Sequence, residues 1–133
     1  MKKIYLIFLS IYISVIFIFV FFSTGMRDFM SINVDVMSPV MHVFADGYFS
    51  PFVIYDECFY STEEGTTYSY IIELRDENAD KAWFIKRIEV IKGLTDGIYT
   101  EILYSPVYNA IFVCGASHDI TDNARVVISR VVN

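Results

Sequence analysis

The sequence is poor in the residues from which metal and redox sites are built. It has two cysteines and two histidines in 133 residues, and no Cys-x-x-Cys motif. A structural zinc site needs a cluster of Cys and His ligands, and a redox pair needs closely spaced thiols. The sequence therefore predicts no metal and no cofactor.

Basic residues are also few. The chain carries 10 Lys and Arg against 16 Asp and Glu, and two of the basic residues, Lys2 and Lys3, precede a long apolar run. The part beyond that run therefore has eight basic and sixteen acidic side chains, a net charge of about −8. Nucleic acids and anionic lipid headgroups select basic surfaces, so neither is expected as a partner.

Motifs for catalysis are absent as well. Ser117, His118 and Asp119 are the residue types of a hydrolase triad, but they are adjacent in sequence. In a triad the base bridges the nucleophile and the carboxylate in space, which adjacent residues of one loop do not allow. The paired acids Asp56-Glu57 point to opposite faces if they lie on a strand. We therefore expect a protein that is not an enzyme.

A charge-free apolar run is the most prominent feature that is present. Residues 4–22 read IYLIFLSIYISVIFIFVFF, which at ~1.5 Å per residue spans roughly 28 Å, about the hydrocarbon thickness of a bilayer. A cleaved signal peptide is the alternative, but its apolar core is typically about 7–15 residues long. We predict an uncleaved anchor, with residues 1–28 as tip, span and junction and residues 29–133 as a separate domain.

The residues flanking this run predict its orientation. Lys2 and Lys3 precede the run without an acid beside them, whereas Arg27 after it is offset by Asp28. Positive charge favours the cytoplasmic side of a membrane. The expected localisation is a bacterial inner membrane, with a cytoplasmic N-terminus and a periplasmic C-terminal domain.

The two cysteines lie beyond the anchor. Cys58 and Cys114 are far apart in sequence, and two cysteines of an exported domain most often form one disulfide. Closing a loop of that length contributes on the order of 4 kcal/mol in the chain-entropy model. Both lie in apolar, strand-like contexts, so the bridge is expected to join two strands.

Short strand patterns with intervening turns fill the exported part. Asp46-Gly47 and Asp96-Gly97 are two-residue hairpin signals, and the charged segment Arg75–Lys81 is predicted to be a loop. This spacing of strands and turns predicts a small antiparallel β barrel or sandwich of about seven to eight strands. Apolar alternation or apolar runs predict strands at 30–36, 40–45, 48–60, 66–74, 98–104, 107–114 and 124–132.

The segment 79–92 admits two interpretations. Asn78 is a helix-capping residue type and Gly93 a helix-stop signal, which favour a helix. Several β-branched residues favour a strand instead. A strand is the preferred prediction.

Aromatic and histidine side chains are the candidate site residues. Outside the apolar run there are eight Tyr, seven Phe and Trp83, and most are expected to fill a β core. Tyr and Trp also suit interfaces and ligand pockets, and His changes charge near pH 6.5. We select Tyr68, Tyr70, Trp83 and Tyr99 as interface or ligand-facing candidates, and His42 and His118 as pH-sensing candidates, although polar side chains on a rim would look the same.

The layout of the whole chain resembles the ToxS, VtrC and PsaF type of companion protein. The features that carry the resemblance are Lys2-Lys3, the 4–22 run and the strand pattern from Met30 to Val132. Proteins of that type sit in the inner membrane of Gram-negative bacteria beside a membrane-bound transcriptional regulator. They pair with or tune its periplasmic sensing domain, in some cases around a small apolar ligand.

The segment Lys86–Gly115 is similar to the membrane-proximal part of efflux-pump adaptor proteins. Those often combine a Val-rich strand, Gly-Leu and Asp-Gly turns and a Thr-Glu-Ile strand, matched here by Gly93-Leu94, Asp96-Gly97 and Thr100-Glu101-Ile102. The pattern then fails at Tyr104-Ser105-Pro106, and the chain has no room for the other adaptor domains.

These features together predict a non-enzymatic accessory protein. It would bind the sensing domain of a membrane-bound transcriptional regulator, or another single-pass protein, and a small apolar ligand is a candidate third component. A bacteriocin-immunity or hydrolase-inhibitor type of binding module is the alternative, and a diverged efflux-adaptor-like module is another. An apolar ligand carrier would be expected to quench the fluorescence of Trp83.

Overall fold

The computed structural model of the chain describes residues 2–29, 31–77 and 79–133; within the N-terminal helix, side chains are described for 3–22. The chain divides into two compact units, Met1–Ser31 and Ile32–Asn133. Met30 and Asn78, the predicted strand start and helix cap, lie outside the described residues.

The N-terminal unit is a single helix, α1 (Lys2–Phe29). Its stretch Lys3–Phe22 has a mean hydropathy of 2.8, and its side chains are exposed. Twenty residues rise about 30 Å, which matches the hydrocarbon core of a bilayer. Ser14 Oγ donates to the carbonyl oxygen of Ser10 at 2.9 Å, so this hydroxyl is satisfied within the helix. The predicted apolar helix is confirmed, and it is long and apolar enough to cross a membrane.

The second unit is built from β-strands. A short 3₁₀ turn at Asp56–Cys58 separates the third strand from the fourth. The described residues form ten strands, more than the seven to eight predicted: β1 Ile32–Met37, β2 Val40–Val43, β3 Phe49–Tyr55, β4 Tyr60–Ser61, β5 Thr67–Glu77, β6 Asp80–Glu89, β7 Ile91–Thr95, β8 Tyr99–Tyr104, β9 Ile111–Ala116 and β10 Arg125–Val131.

Five of these strands close into a barrel. Their order is β5-β6-β10-β1-β9, and β9 pairs back to β5. The short β4 extends the sheet on the outer side of β5. The barrel pairings are antiparallel except β1–β10, which is parallel and joins the first and last strands of the unit. The prediction of a small, mainly β fold after an apolar helix is confirmed.

The other four strands form a second, open sheet in the order β2-β3-β8-β7. The barrel interior is one apolar cluster, to which all five barrel strands contribute: Ile32, Val34, Val36, Ile72, Ile85, Val113 and Val126. A second cluster joins barrel strands to the second sheet: Met37, Ile54, Cys58, Ile71, Ile88, Val90, Ala110 and Phe112.

Both predicted hairpin turns are present. Gly47, between β2 and β3, has φ +83°, and Gly97, between β7 and β8, has φ +88°. Residues with a side chain rarely adopt this left-handed conformation, so glycine suits both positions. In the second turn, Asp96 Oδ1 accepts the backbone N–H groups of Ile98 and Tyr99 at 2.9 and 2.8 Å. The two Asp-Gly signals therefore located two turns of the second sheet correctly.

Two predictions around residue 78 have different outcomes. The preference for a strand over a helix at 79–92 is confirmed, because β6 pairs with β5 from Glu89 back to Asp80. The prediction of a charged loop at Arg75–Lys81 is wrong, because β5 and β6 continue into this segment. Charge in this segment is accommodated by cross-strand pairing of Asp76 with Lys81 rather than by a loop.

The disulfide between Cys58 and Cys114 is present, with a sequence separation of 56 residues. Cys58 ends the 3₁₀ turn and is fully buried, whereas Cys114 lies on β9. The bridge therefore joins a turn to a barrel strand, and the expectation that it joins two strands is wrong.

Candidate functional site

The predicted site residues separate into two groups, and each group contains one histidine. Tyr68, Tyr70 and His118 line one cavity on the barrel side of the domain. His42 and Tyr99 contact each other at the turns of the second sheet. The sequence therefore selected residues of two separate clusters without showing that they are separate.

Trp83 belongs to neither group. It lies on β6 and packs, partly buried, against the cluster that fills the barrel. Its cross-strand partners are Leu74 and Val126. Its role in the structure is in the packing of the barrel, because large aromatic side chains contribute much of the apolar area that a small core buries.

The first group is a cluster of three tyrosines. Tyr68 and Tyr70 are two residues apart on β5, so they share a face, and Tyr60 on β4 is the cross-strand partner of Tyr68. The ring centroids are 5.6 Å apart for Tyr60 and Tyr68, 5.3 Å for Tyr60 and Tyr70, and 5.6 Å for Tyr68 and Tyr70. The rings therefore pack into a continuous aromatic wall.

This wall borders a cavity of about 450 Å³. Its other side is the segment that follows β9, which contributes Ala116, His118, Asp119 and Ile120. We call this space the tyrosine cavity. Aromatic rings border one side of this cavity, and an exposed carboxylate and an imidazole belong to the other side.

Burial and neighbouring charges shift the pKa values of tyrosines in the tyrosine cavity. Burial raises the pKa of the Tyr60 phenol, with smaller contributions from Tyr68 and Glu57, and burial also raises the pKa of Tyr70. Both phenols therefore stay protonated and neutral at neutral pH. The guanidinium carbon of Arg87, the cross-strand partner of Tyr70, lies 3.8 Å from the ring centroid of Tyr68, a cation–π contact.

The Ser117-His118 pair forms part of the support of this cavity. Ser117 Oγ lies 2.8 Å from His118 Nδ1 and accepts the backbone N–H of Asn33 at 3.1 Å. The backbone N–H of Ser117 donates to the carbonyl oxygen of Asn33 at 2.8 Å. Because Ser117 is tied to β1 in this way, its hydroxyl holds the neighbouring imidazole at the rim of the cavity.

The second group surrounds His42 on β2. Its ring lies 4.8 Å from the ring of Phe44 and 4.7 Å from that of Tyr99, and Nε2 is 2.8 Å from Asp96 Oδ2. Hydrogen bonds from the backbone amides of Tyr99 and Ile98, and a smaller one from His42, lower the pKa of Asp96. The histidine therefore ties the β2 edge of the second sheet to the β7–β8 turn.

Glu101 is a buried carboxylate that the sequence did not identify as a site residue. It is 6% exposed on β8, and Tyr48 Oη donates to its Oε1 at 2.9 Å. Burial alone would raise the pKa of Glu101, but hydrogen bonds from polar neighbours, among them the Tyr48 hydroxyl and the backbone N–H of Leu94, outweigh burial and lower it. Glu101 therefore stays ionised. Its hydrogen bond with Tyr48 connects β8 to the β2–β3 hairpin.

An apolar groove lies at the end of the second sheet, where the chain leaves β8. It has a volume of about 290 Å³, close to the lower limit for small-ligand pockets. Ring centroids of Phe52 and Tyr108 are 6.5 Å apart across it. None of the aromatic residues selected from the sequence lines it. Its lining is Pro39, Phe52, Ile102, Leu103, Tyr104, Ser105, Val107, Tyr108, Asn109, Ala110 and Phe112.

Within the described residues, no three His, Cys, Asp or Glu side chains are grouped in a way that would hold a metal ion. The two histidines lie in separate groups, each beside one aspartate: Asp96 next to His42, and Asp119 at the cavity of His118.

Comparison of the chain with protein-family models, with curated proteins and with solved structures finds no significant match.

Proposed function

We propose that the protein is a membrane-anchored binding protein that docks the second sheet against a partner held in the same membrane. The partner class is the periplasmic sensing domain of a single-pass transcriptional regulator, and the membrane is a bacterial inner membrane. The apolar helix Lys3–Phe22 supports the anchor. The observation that carries the proposal is the uneven distribution of exposed apolar side chains between the two sheets.

Large exposed apolar side chains concentrate on the second sheet and its connecting segments. Among the described residues beyond α1, fourteen such side chains are exposed, and eleven of them lie in this part of the domain. The three on barrel strands are Leu74, Val127 and Val131. The eleven are Met41, Val43, Tyr48, Phe49, Phe52, Ile91, Leu94, Ile98, Leu103, Tyr104 and Tyr108. The set includes residues of both strand faces, such as the adjacent Leu103 and Tyr104 on β8; we call it the apolar sheet surface.

Some members of this set lie side by side across strands. Val43 pairs with Phe49, and Ile91 pairs with Tyr104. Grouped apolar surface on a small domain is typical of a protein interaction site, whereas single exposed apolar residues are ordinary. Aromatic residues, which are frequent in this set, are also enriched at protein interfaces.

A partner in the same membrane fits these features best. Anchoring confines both proteins to one surface, which raises their effective concentration, so a modest apolar contact suffices for association. The companion proteins of membrane-bound regulators, which the chain resembles, have this same layout. A net charge of about −8 beyond the anchor additionally favours a partner with basic residues around its apolar contact.

Affinity purification from membranes tests this proposal. Leu103→Asp places a charge within the apolar sheet surface, and Leu74→Asp makes the same change on the barrel; the two leucines are 61% and 48% exposed. We expect the native chain and Leu74→Asp to co-purify one dominant single-pass protein, and Leu103→Asp to lose it. Equal recovery with both variants, or no membrane partner with the native chain, would contradict the proposal.

A second candidate function is the binding of a small apolar molecule in the groove beside Phe52 and Tyr108. The observation that favours it is the apolar, aromatic lining of that groove. A fluorescent fatty-acid analogue, titrated into the full chain in detergent, is expected to bind saturably. Tyr108→Ala, at a side chain that is 87% exposed, should weaken binding without unfolding the domain. Unchanged binding in that variant would exclude the groove.

A further inference from the structure

The tyrosine cavity has a composition distinct from that of the apolar sheet surface. We propose that it binds a small organic cation, such as a quaternary or primary alkylammonium ion. The site is on the barrel and does not depend on the function proposed for the second sheet. Three observations carry the proposal: the aromatic wall, an internal cation already placed on it, and a carboxylate on the facing side.

The wall presents three tyrosine rings to the cavity. Aromatic faces attract cations through the ring quadrupole, and groups of Tyr and Trp rings are the usual recognition elements for quaternary ammonium. Burial raises the pKa of Tyr60 and of Tyr70, so these rings remain neutral phenols. The wall therefore supplies aromatic side chains without adding a full charge of its own.

A cation already rests on this wall from within the chain. The guanidinium of Arg87 lies 3.8 Å from the ring centroid of Tyr68. This contact demonstrates that the cluster accommodates a cation against a ring. Arg87 is not among the residues that line the cavity, so its guanidinium does not occupy the lining.

The opposite side provides the complementary charge. Asp119 is exposed at the cavity, and the lining contains no Lys or Arg. His118 stands beside this carboxylate, with its Nδ1 directed to Ser117 at 2.8 Å. Both the rings and the Asp119 carboxylate would attract an ammonium ion placed between them, whereas the carboxylate would repel an anion and would give a neutral apolar molecule no ionic attraction.

The size of the cavity suits a small ligand. Its volume of about 450 Å³ lies within the range of roughly 300–1,000 Å³ that is typical of small-molecule sites. His118 and Asp119 of its lining are exposed, so a soluble ion can reach the cavity. A free ammonium ion from solution is therefore the ligand class that the geometry favours.

Calorimetric titration of the full chain in a non-ionic detergent tests the proposal. Choline is the probe, and 3,3-dimethylbutanol, in which carbon replaces the charged nitrogen, is the neutral control. We expect saturable binding of choline, and binding of the alcohol weaker by a factor on the order of 5–30, which corresponds to a cation–π energy of about 1–2 kcal/mol. Equal binding of both molecules, or no saturation with choline, would overturn the proposal.

Three variants locate the site. Tyr60→Phe keeps the ring and should retain choline binding, whereas Asp119→Asn removes the charge of an exposed side chain and should weaken binding several-fold at low salt. Asp80→Asn, at an exposed carboxylate on β6 that does not line the cavity, is the matched control and should leave binding unchanged. If Asp119→Asn leaves the affinity for choline unchanged, or Asp80→Asn weakens it equally, the tyrosine cavity is not the cation site.

Discussion

Glycine at position 93 is explained by a single neighbour. A Cβ at this position would overlap Glu101 Oε2 and lie 3.0 Å from its Cγ and Cδ, whereas a Cβ at Gly115 would meet Asp35 Oδ2 at 3.5 Å. The first contact is too close and the second is ordinary. Since Glu101 is buried and hydrogen-bonded to Tyr48, its carboxylate cannot move away without losing that bond.

We therefore predict that Gly93→Ala destabilises the domain by about 1–3 kcal/mol, the usual cost of overpacking. Gly115→Ala is the matched control and is expected to be neutral or slightly stabilising, because alanine restricts the unfolded chain. Urea unfolding followed by the fluorescence of Trp83, the only tryptophan, measures both effects. Equal stability of the two variants would show that Glu101 tolerates the added methyl group.

Several carboxyl groups make the stability of the domain depend on pH. Hydrogen bonds lower the pKa of Asp56, Glu73 and Asp96 below their ordinary values, with Lys or Arg side chains among the donors to Asp56 and Glu73. A group with a lowered folded-state pKa stabilises the fold above its unfolded pKa, and this stabilisation is lost as the pH falls through the folded value. For carboxyl groups that range lies below about pH 4.

We predict that these three groups contribute a constant amount to the free energy of unfolding between pH 7 and pH 5. Below about pH 4 their contribution, and with it the free energy of unfolding, should fall. Urea midpoints measured by Trp83 fluorescence at pH 7, 5, 4 and 3 check this. Asp96→Asn retains a side-chain acceptor for the turn amides but does not titrate, so its loss on acidification should be smaller. An identical decrease in the variant would mean that Asp96 does not contribute.

At the scale of elements, the predictable parts of the fold were the turns and strands that local sequence signals specify. The Asp46-Gly47 and Asp96-Gly97 turns follow from residues that accept the backbone angles of a tight turn. Apolar alternation predicted the strands that line the barrel with one face, such as β1. The closing β5–β9 pair and the parallel β1–β10 pair depend on long-range contacts, and nothing in the local pattern encodes them.

The segment 79–92 shows why one element was ambiguous. The buried residues of β6 are Ala82, Ile85 and Ile88, spaced by three as on a helix. Ile85 points into the barrel, whereas Ile88 packs in the cluster that joins the barrel to the second sheet. A strand that buries apolar groups on both faces loses the alternation of a half-buried strand, so its pattern approaches that of a helix.

The candidate sites were predictable only in part for the same reason. Tyr68 and Tyr70 share a face by their spacing, but Tyr60 joins them through the β4–β5 pairing. His118 lies in the loop between β9 and β10, whose sequence has no periodic pattern that would predict its position. The apolar groove at Phe52 and Tyr108 was missed because its walls come from distant segments that carry no common motif.

The disulfide stabilises the domain at this scale by restricting the unfolded chain. For the 56-residue separation of Cys58 and Cys114, the chain-entropy model gives about 4 kcal/mol. We predict that the double substitution to serine lowers the free energy of unfolding by roughly that amount, measured in urea without reductant. As a matched comparison, the native chain is unfolded once with its disulfide intact and once after the disulfide has been reduced. A loss of less than about 1 kcal/mol would show that the bridge adds little to the fold.

At the scale of the whole molecule, an apolar helix precedes a domain that has two differently built surfaces. The apolar sheet surface carries most of the exposed large apolar side chains, and the tyrosine cavity on the barrel combines rings with a carboxylate. We propose protein docking for the first and cation binding for the second. The two assignments rest on different strands, so each can fail without the other.

Site-specific photo-crosslinking in intact cells tests the central claim most directly. A photoreactive amino acid is placed in the full-length chain at Leu103 on the apolar sheet surface or, as the control, at Val131 on the barrel; both side chains are 61% exposed. Docking through the second sheet predicts one discrete crosslinked membrane protein from position 103 and none from position 131. Equal crosslinking from both positions, or a product from position 131 alone, would contradict it.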